Sequence, residues 1–379
     1  MNYLSSHTQL KNWMPKSKDF YPSYRNYDVT GKQTTSKLSS AISSGIIKES
    51  DIIRSLNEHG VSTSNKFLEE VFWRIYFRGY FETHPSIWQS YKECLSVDKQ
   101  FKGEDYQKAI DGNTGILCFD DWLNDLYNKG YLHNHTRMWF ASIWIFTLKL
   151  PWTLGCDLFM KYLSDADEAS NILSWRWVAG LHTSKKPYVA RASNIKKYTD
   201  KYNPVNELNE SPQAIYEDKN HNYVPMVFNS KIPQRCSMLV IDNFFDVDGI
   251  NLSNTKIDSF YVLDTSSFNK RTIDRISIQS KVVIIDYISK KINLTPITVS
   301  MSDISILFRR PLVTSMLRTG EFKDFLHKPM RELEKSCNVS FLSRKIDELS
   351  WNHCKGGFFK LKSKVTSIVD TLLQPTLFD

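Results

Sequence analysis

Asp165-Ala-Asp-Glu-Ala-Ser-Asn-Ile-Leu-Ser-Trp-Arg-Trp177 is the stretch on which the reading of this chain turns. Asp165 and Asp167 are two residues apart, Asn171 follows four positions later, and Trp175 and Trp177 bracket Arg176. An amide held among carboxylates suits a planar, hydrogen-bonding, redox-active ring, and nearby tryptophans suit the passage of electrons to it. Three other segments make the same demand.

Thr34-Thr-Ser-Lys-Leu-Ser39 sets consecutive hydroxyls before an apolar periodic run. That is the pattern of a helix N-terminus, where free backbone N–H groups and hydroxyls hold a phosphate; an ordinary helix cap has the same pattern. In Phe67-Leu-Glu-Glu-Val-Phe-Trp-Arg-Ile-Tyr-Phe-Arg78, helical spacing brings Glu70, Trp73 and Phe77 to one face with Arg74 beside them. The face reads either as a core helix with solvated charges or as an aromatic wall beside a carboxylate. Gly130-Tyr-Leu-His-Asn-His-Thr-Arg-Met138 sets Asn134, Arg137 and Met138 within one or two helical turns. His133 and His135 have no third metal ligand close in sequence, so they read as structural and no metal is expected.

The chain has 379 residues, 41% of them apolar, enough to bury a large core and to make two domains. Aromatic residues reach 13%, which serves a ring-rich core or a stacking and electron-transfer role. The net charge of +8 favours polyanionic partners, but no compact basic block exists, so folding must assemble any basic surface. Six widely spaced cysteines without a C-x-x-C pair fit reduced thiols in a cytoplasmic setting. The N-terminus lacks a basic region followed by an apolar core, so no signal peptide is expected. Met138 to Leu148 is too short to span a membrane.

Residues 35–200 read as mostly helical, over Leu38–Ile47, Asp51–His59, Lys66–Tyr80, Phe119–Lys129, Arg137–Leu148 and Thr153–Leu163. The polar, turn-rich stretch 205–235 reads as a linker or a long crossing loop. Beyond Ser237, the runs Met238–Asp242, Phe260–Leu263, Val282–Asp286 and Ile297–Ser300 read as strands. Helices are expected around Lys270–Ile278, Pro311–Lys335 and Phe358–Leu373. Strands alternating with helices give a C-terminal α/β (Rossmann-like) domain with a partly parallel sheet. The expected division is 1–205 helical, 206–235 linker and 236–379 α/β. Asp242–Gly249 has carboxylates suited to Mg²⁺ but reads as a solvated acidic turn, and Lys355–Ser363 lacks P-loop spacing and reads as a helix opening.

Taken together, the four segments resemble the FAD-binding domain of the DNA photolyase/cryptochrome family. That family's Thr-Ser-Arg-Leu-Ser stands here as Thr35-Ser-Lys-Leu-Ser39, and its Glu-Leu-Ile-Trp-Arg as Glu70-Val-Phe-Trp-Arg74. Its Gly-Trp-Met-His-Asn-Arg-x-Arg-Met stands as Gly130 to Met138, and its Asp-x-Asp-x-x-x-Asn…Trp-x-Trp as Asp165 to Trp177. Thr183-Ser-Lys-Lys-Pro-Tyr188 continues the likeness, which covers residues 20–205.

The resemblance implies a mainly α-helical FAD-binding domain with FAD as cofactor. It implies that Tyr24, Thr35, Ser36, Lys37, Leu38 and Ser39 hold the ribityl and diphosphate portion. Arg137 and Asp165 would pair near the isoalloxazine, with Asp167 at the cofactor's polar edge and Asn171 facing flavin N5. Asn134 and Trp73 would line the cavity. Glu70 would hydrogen-bond a flipped cyclobutane pyrimidine dimer, with Trp73, Arg74, Asn134, Met138 and Trp177 on the substrate side. Trp175 and Trp152 match the proximal and middle members of the family's tryptophan relay. The distal position falls near Lys99, which leaves two alternatives: Tyr91, Tyr106 or Trp144 substitutes for it, or the relay is short.

Met138 and Asn171 match dimer-repairing members, where other subclasses carry histidine, or aspartate and cysteine. The resemblance therefore implies a deoxyribodipyrimidine photo-lyase, a carbon–carbon lyase, acting on DNA that contains pyrimidine dimers as a cytoplasmic monomer. The alternatives are a cryptochrome-like blue-light photoreceptor, and a DNA-binding or flavin-storage protein whose photochemistry has decayed. Two departures stand out: His135 replaces an arginine, and α/β sequence follows the FAD-type segment where the family places an antenna domain before it. Residues 236–379 are expected to take that domain's place or to act as a separate module.

Overall fold

The computed structural model describes residues 3–374 apart from 166, 184, 218, 229–230, 243, 269–273 and 305–310. Among the described residues, the ordered elements from Tyr3–Lys18 to Ala192–Tyr198 are helices with no strand between them; over 35–200 this follows the periodicity, while Tyr3–Lys18 and Phe20–Tyr24 precede that span. Their ends follow local chemistry. Asn65 opens the long Lys66–Thr83 helix by accepting a hydrogen bond from the Phe67 N–H at 2.7 Å. Asp167 opens Glu168–Ala179 by accepting from the Ser170 N–H at 3.2 Å. Gly130 and Gly180 stop the Leu117–Lys129 and Glu168–Ala179 helices in the left-handed region that glycine enters freely. The helix expected over Leu38–Ile47 is shorter, Ser39–Ser43, because Gly45 turns the chain at a φ of +74°.

The strands are β1 (Arg235–Val240), β2 (Lys256–Leu263), β3 (Ile297–Val299), β4 (Leu312–Ser315) and β5 (Val339–Leu342). They form one parallel sheet in the order β3-β2-β1-β4-β5. Two sequence expectations are corrected. Val282–Asp286 lies inside the Asp274–Ile292 helix, where Ile284, Ile285, Ile288 and Ile292 recur at helical spacing and pack against the sheet's core. Within Pro311–Lys335, expected as helix, Leu312–Ser315 is β4, and the helix starts only at Glu321, after Gly320. Every β4 residue is buried on both faces, so the strand carries no alternation to read. The expected helix near Lys270–Ile278 falls partly outside the described residues; its described part belongs to Asp274–Ile292.

The helical and sheet-bearing parts meet through buried polar contacts. After β4, the chain reaches the Lys66–Thr83 helix: the Thr319 N–H and hydroxyl donate to Glu82 at 2.9 and 2.7 Å, and Arg78 donates to the Thr319 carbonyl at 3.1 Å. Arg344 binds Glu49 at 2.7 Å and Asp347 at 2.6 Å, all three buried. The supposed solvated acidic turn is instead a clasp. Lys48 donates to Asp246 at 2.6 Å and Asp248 at 2.8 Å, while half-buried Asp242 accepts from the Phe244 N–H and the Ser315 hydroxyl. Burial pushes the Asp242 carboxyl upward from its ordinary value.

The segment 199–234 carries no helix or strand among its described residues and is tied down along its path. Arg176 meets Glu217 at 2.5 Å, and the Val224 N–H donates to the Thr83 carbonyl at 2.7 Å. None of the six cysteines forms a disulfide. Among the described residues, no helix is long and apolar enough to cross a membrane.

Candidate functional site

Four separate segments converge where the sequence motifs predict a site. Arg137, on the Asn134–Ser142 helix, donates to Asp165 at 2.8 Å and to the Leu132 carbonyl at 2.9 Å. Its guanidinium also lies 5.8 Å from the centroid of the Tyr131 ring. The Tyr131 hydroxyl meets Thr35 at 3.0 Å, so one tyrosine connects the hydroxyl-rich loop to the Arg137–Asp165 pair. Burial raises the Tyr131 pKa, keeping it a neutral phenol.

The loop itself is shaped for a polar guest. Lys37 adopts a left-handed backbone at a φ of +54°, and Gln9 donates to the Ser36 carbonyl at 2.7 Å. The Leu38 N–H points to the Ser36 hydroxyl at 3.4 Å. The Ser39 hydroxyl oxygen is buried with no hydrogen-bond partner. A buried, orphaned hydroxyl is destabilising by about 1–3 kcal/mol unless a partner satisfies it, so it marks a place where an acceptor such as a phosphate oxygen fits.

Asp167 and Asn171 share the Glu168–Ala179 region but face different partners. Asp167 accepts from Arg74 at 2.9 Å and from Arg78 at 2.8 Å. Burial pushes its carboxyl upward, but the two guanidinium groups outweigh burial and hold it well below the usual carboxylate range. Arg74 also donates to Ser43 at 2.9 Å, tying this cluster to the Ser39–Ser43 helix that follows the hydroxyl-rich loop. The Asn171 amide donates to the Cys156 carbonyl at 2.9 Å and lies 3.4 Å from its sulfur, which fixes the amide's orientation.

On the Lys66–Thr83 helix, Glu70 accepts from Arg25 at 2.7 Å. Burial raises the Glu70 pKa, and the opposing pull of Arg25 does not cancel it. Trp73 stands edge-on to Trp177, with centroids 5.8 Å apart at 86°, so these two predicted wall residues do meet. Met138 is half-buried against the helical core, Asn134 is exposed at the start of its helix, and Tyr24 is exposed, stacked on Phe20 at 4.7 Å.

The two relay candidates occupy different ring clusters. Trp175 is buried against Phe159 at 5.2 Å and Trp144 at 6.4 Å, and its indole N–H has no partner. Trp144 in turn lies 6.0 Å from Tyr106. Trp152 instead packs against Tyr91 at 5.8 Å, and Tyr91 against Trp88 at 5.7 Å. Gly155 makes the first cluster possible: a Cβ there would lie 2.3 Å from the Trp175 ring.

His133 and His135 serve the scaffold. His133 accepts from the His135 N–H at 3.1 Å and caps that helix, and His135 faces the Asn26 carbonyl at 3.1 Å. Burial pushes His133 down to about 4, leaving it neutral. No cluster of three His, Cys, Asp or Glu that could hold a metal occurs among the described residues.

Three contributors escape single-residue reading. Tyr131 sat inside a quoted motif, but only folding shows that it bridges Thr35 and Arg137. Arg78 closes the sequence segment that carries Trp73, yet its partner Asp167 is 89 residues away. Phe358, which lies flat on Trp73 at 3.9 Å, has no sequence signal linking it to that helix.

Residues 67–211 match the family described as the FAD binding domain of DNA photolyase. A deoxyribodipyrimidine photo-lyase of Alkalihalophilus pseudofirmus is 31% identical over 188 residues, covering 48% of this chain and 38% of that protein. A cryptochrome DASH of Idiomarina loihiensis is 28% identical over 184 residues, covering 47% and 40%. Among solved structures, a bacterial class III photolyase from Agrobacterium tumefaciens matches with a TM-score of 0.44 and 24% identity, over 52% of this chain and 42% of that one. The matches thus reach about two-fifths of the length of these relatives. The cofactor of the matched domain is FAD.

Proposed function

We propose that this chain, which carries in residues 67–211 the FAD-binding domain of the DNA photolyase/cryptochrome family, is a light-dependent lyase that splits cyclobutane pyrimidine dimers in DNA. The observation that carries the reading is the convergence of Thr35, Tyr131, Arg137 and Asp165 beside the orphaned Ser39 hydroxyl, on the motifs in which Met138 and Asn171 are of the dimer-repair kind. When bound and reduced, the flavin supplies an electron on illumination.

The chain's own residues have distinct tasks in this reading. Arg137 offers positive charge beside an anionic ring, and Asp165 keeps that charge oriented. Asn171, aimed by Cys156, presents its amide toward flavin N5. The hydroxyls of residues 35–39 and Tyr24 hold the ribityl and diphosphate portion. Glu70, held by Arg25 at 2.7 Å, faces the edge of a flipped dimer and hydrogen-bonds it. Trp73, Trp177 and Met138 contact the bases, and Arg74 and Asn134 border the cavity. Trp175 and Trp152 pass electrons when oxidised flavin is photoreduced.

The same reading divides the chain at residues 205 and 235, with residues 236–379 as an α/β domain. A cryptochrome-like photoreceptor is the second reading, favoured by the match to a cryptochrome DASH. Glu70→Ala tests the first. The variant should keep blue flavin absorption while light-driven dimer splitting falls; loss of the flavin, or full splitting, contradicts the role given to Glu70.

A further inference from the structure

We propose that residues 355–362 are an intramolecular cover on the Trp73 ring, with Phe358 holding the stacking position that a lesion base would take, so that substrate binding requires this segment to lift. The inference rests on the reading of Trp73 as a substrate-facing ring. The geometry behind it is direct. The Phe358 and Trp73 rings lie 3.9 Å apart at an interplanar angle of 13°, and Phe358 is only 3% exposed. Tyr76 approaches the same phenyl ring edge-on at 5.7 Å. Trp177, edge-on to Trp73, completes an aromatic corner that Phe358 fills.

The segment is anchored before and after, since Val365, Ile368 and Val369 of the following Val365–Leu373 helix are buried in the same core as Phe358. Trp351 and Cys354 are fully buried against Gly79 of the Lys66–Thr83 helix, where a Cβ would come within 2.7 Å of Trp351 and 2.8 Å of Cys354. Beyond this anchor come Gly356 and Gly357, a pair with the backbone freedom of a hinge. Tyr76 donates to the Gly356 carbonyl at 2.9 Å, Lys362 pairs with Glu69 at 2.9 Å, and Leu361 is buried in the same core as Phe358, so lifting the segment must break all of these contacts. Lys355, Lys360 and Lys362 of the cover are exposed, as is Lys364 just beyond it, and the Phe359 ring is 76% exposed within the segment. Cationic side chains around an exposed ring are the chemistry that meets a nucleic-acid backbone and its bases. Lifting the cover would exchange one flat ring contact on Trp73 for another, so the segment can shield the ring without closing it permanently.

A reversible tether tests this. The Cβ position of Gly357 is 3.8 Å from the Thr183 hydroxyl oxygen, and no closer atom obstructs it, so Thr183→Cys with Gly357→Cys can form a bridge holding the cover down. The probe is a fluorescent single-stranded oligothymidylate carrying one cyclobutane dimer, followed by anisotropy. Oxidation should weaken binding about tenfold or more, reduction should restore it, and the Thr183→Ser/Gly357→Ser pair should ignore the redox state. Equal affinity in the bridged and reduced forms would overturn the cover. If neither form prefers the dimer to undamaged strand, the substrate reading fails instead. The cover is then judged by acrylamide quenching of the Trp73 fluorescence, isolated by comparison with Trp73→Phe. Phe358→Ala should increase that quenching, and no increase would overturn the cover.

Discussion

Arg137 and Asp165, 28 residues apart in sequence, meet at 2.8 Å with Asp165 almost wholly buried. A buried carboxylate of this kind is stable because its partner neutralises it, and the guanidinium's remaining edge stays oriented for a ligand. Removing the charge with Asp165→Asn should release Arg137 from this geometry. Loss of a charged hydrogen bond is worth about 1.5–3 kcal/mol, so flavin affinity should fall about 10- to 100-fold. Fluorescence titration of the apoprotein with FAD measures this, and an unchanged Kd would contradict the role of the pair.

Trp175 should matter for photoreduction and not for repair by protein reduced beforehand. Trp175→Phe should slow the light-driven bleaching of oxidised flavin. The ring contacts Trp175–Trp144–Tyr106 suggest that Tyr106→Phe acts in the same direction. Flash photolysis with an external reductant decides it. If Tyr91→Phe slows bleaching and Tyr106→Phe does not, the path runs through Trp152 and Tyr91 instead.

Arg344 serves the joint between the two parts of the chain. It is buried with Glu49 and Asp347, so Arg344→Met leaves two carboxylates without their main cation. Breaking a buried ion pair by removing one partner is destabilising by about 3–5 kcal/mol. Urea unfolding should show this loss; a variant within about 0.5 kcal/mol of the parent would mean that the cluster contributes little.

Acid should unfold the protein partly through its buried histidines. Burial pushes His133 down to about 4 and His182 down to about 3, against 6.5 for an ordinary histidine. The unfolded chain therefore binds more protons than the folded one as pH falls below 6.5, and stability drops in that direction. Each group contributes a loss of about 2 kcal/mol by pH 5. Thermal midpoints should fall from pH 7.5 to pH 5, with a shallower slope in His182→Gln; an identical slope would assign the acid sensitivity elsewhere.

Much of this was legible before folding. The motifs around Thr35, Glu70, Asn134 and Asp165 gave the helical FAD-type part and the Arg137–Asp165 pair, because local spacing and complementary charge carry that information. The boundaries of the sheet-bearing part were less legible. β4 is apolar on both faces and has no period, while Val282–Asp286 has β-branched residues whose helical spacing appears only over the longer run to Ile292. Asp167 and Arg74 were both recognised as site residues, but their pairing and the part played by Arg78 were not, since these contacts form only through tertiary packing. The Trp73–Phe358 stack joins residues 285 positions apart, beyond the reach of any local pattern.

Light-driven loss of a thymine dimer tests the central claim most directly. Purified, reduced, FAD-loaded protein would be mixed with a dimer-containing oligonucleotide and divided between blue light and darkness. Chromatography would then quantify the intact dimer. The account predicts conversion of the dimer to two unlinked thymines in the illuminated sample alone. An unchanged dimer in both samples, with flavin demonstrably bound and reduced, would contradict it and favour a photoreceptor.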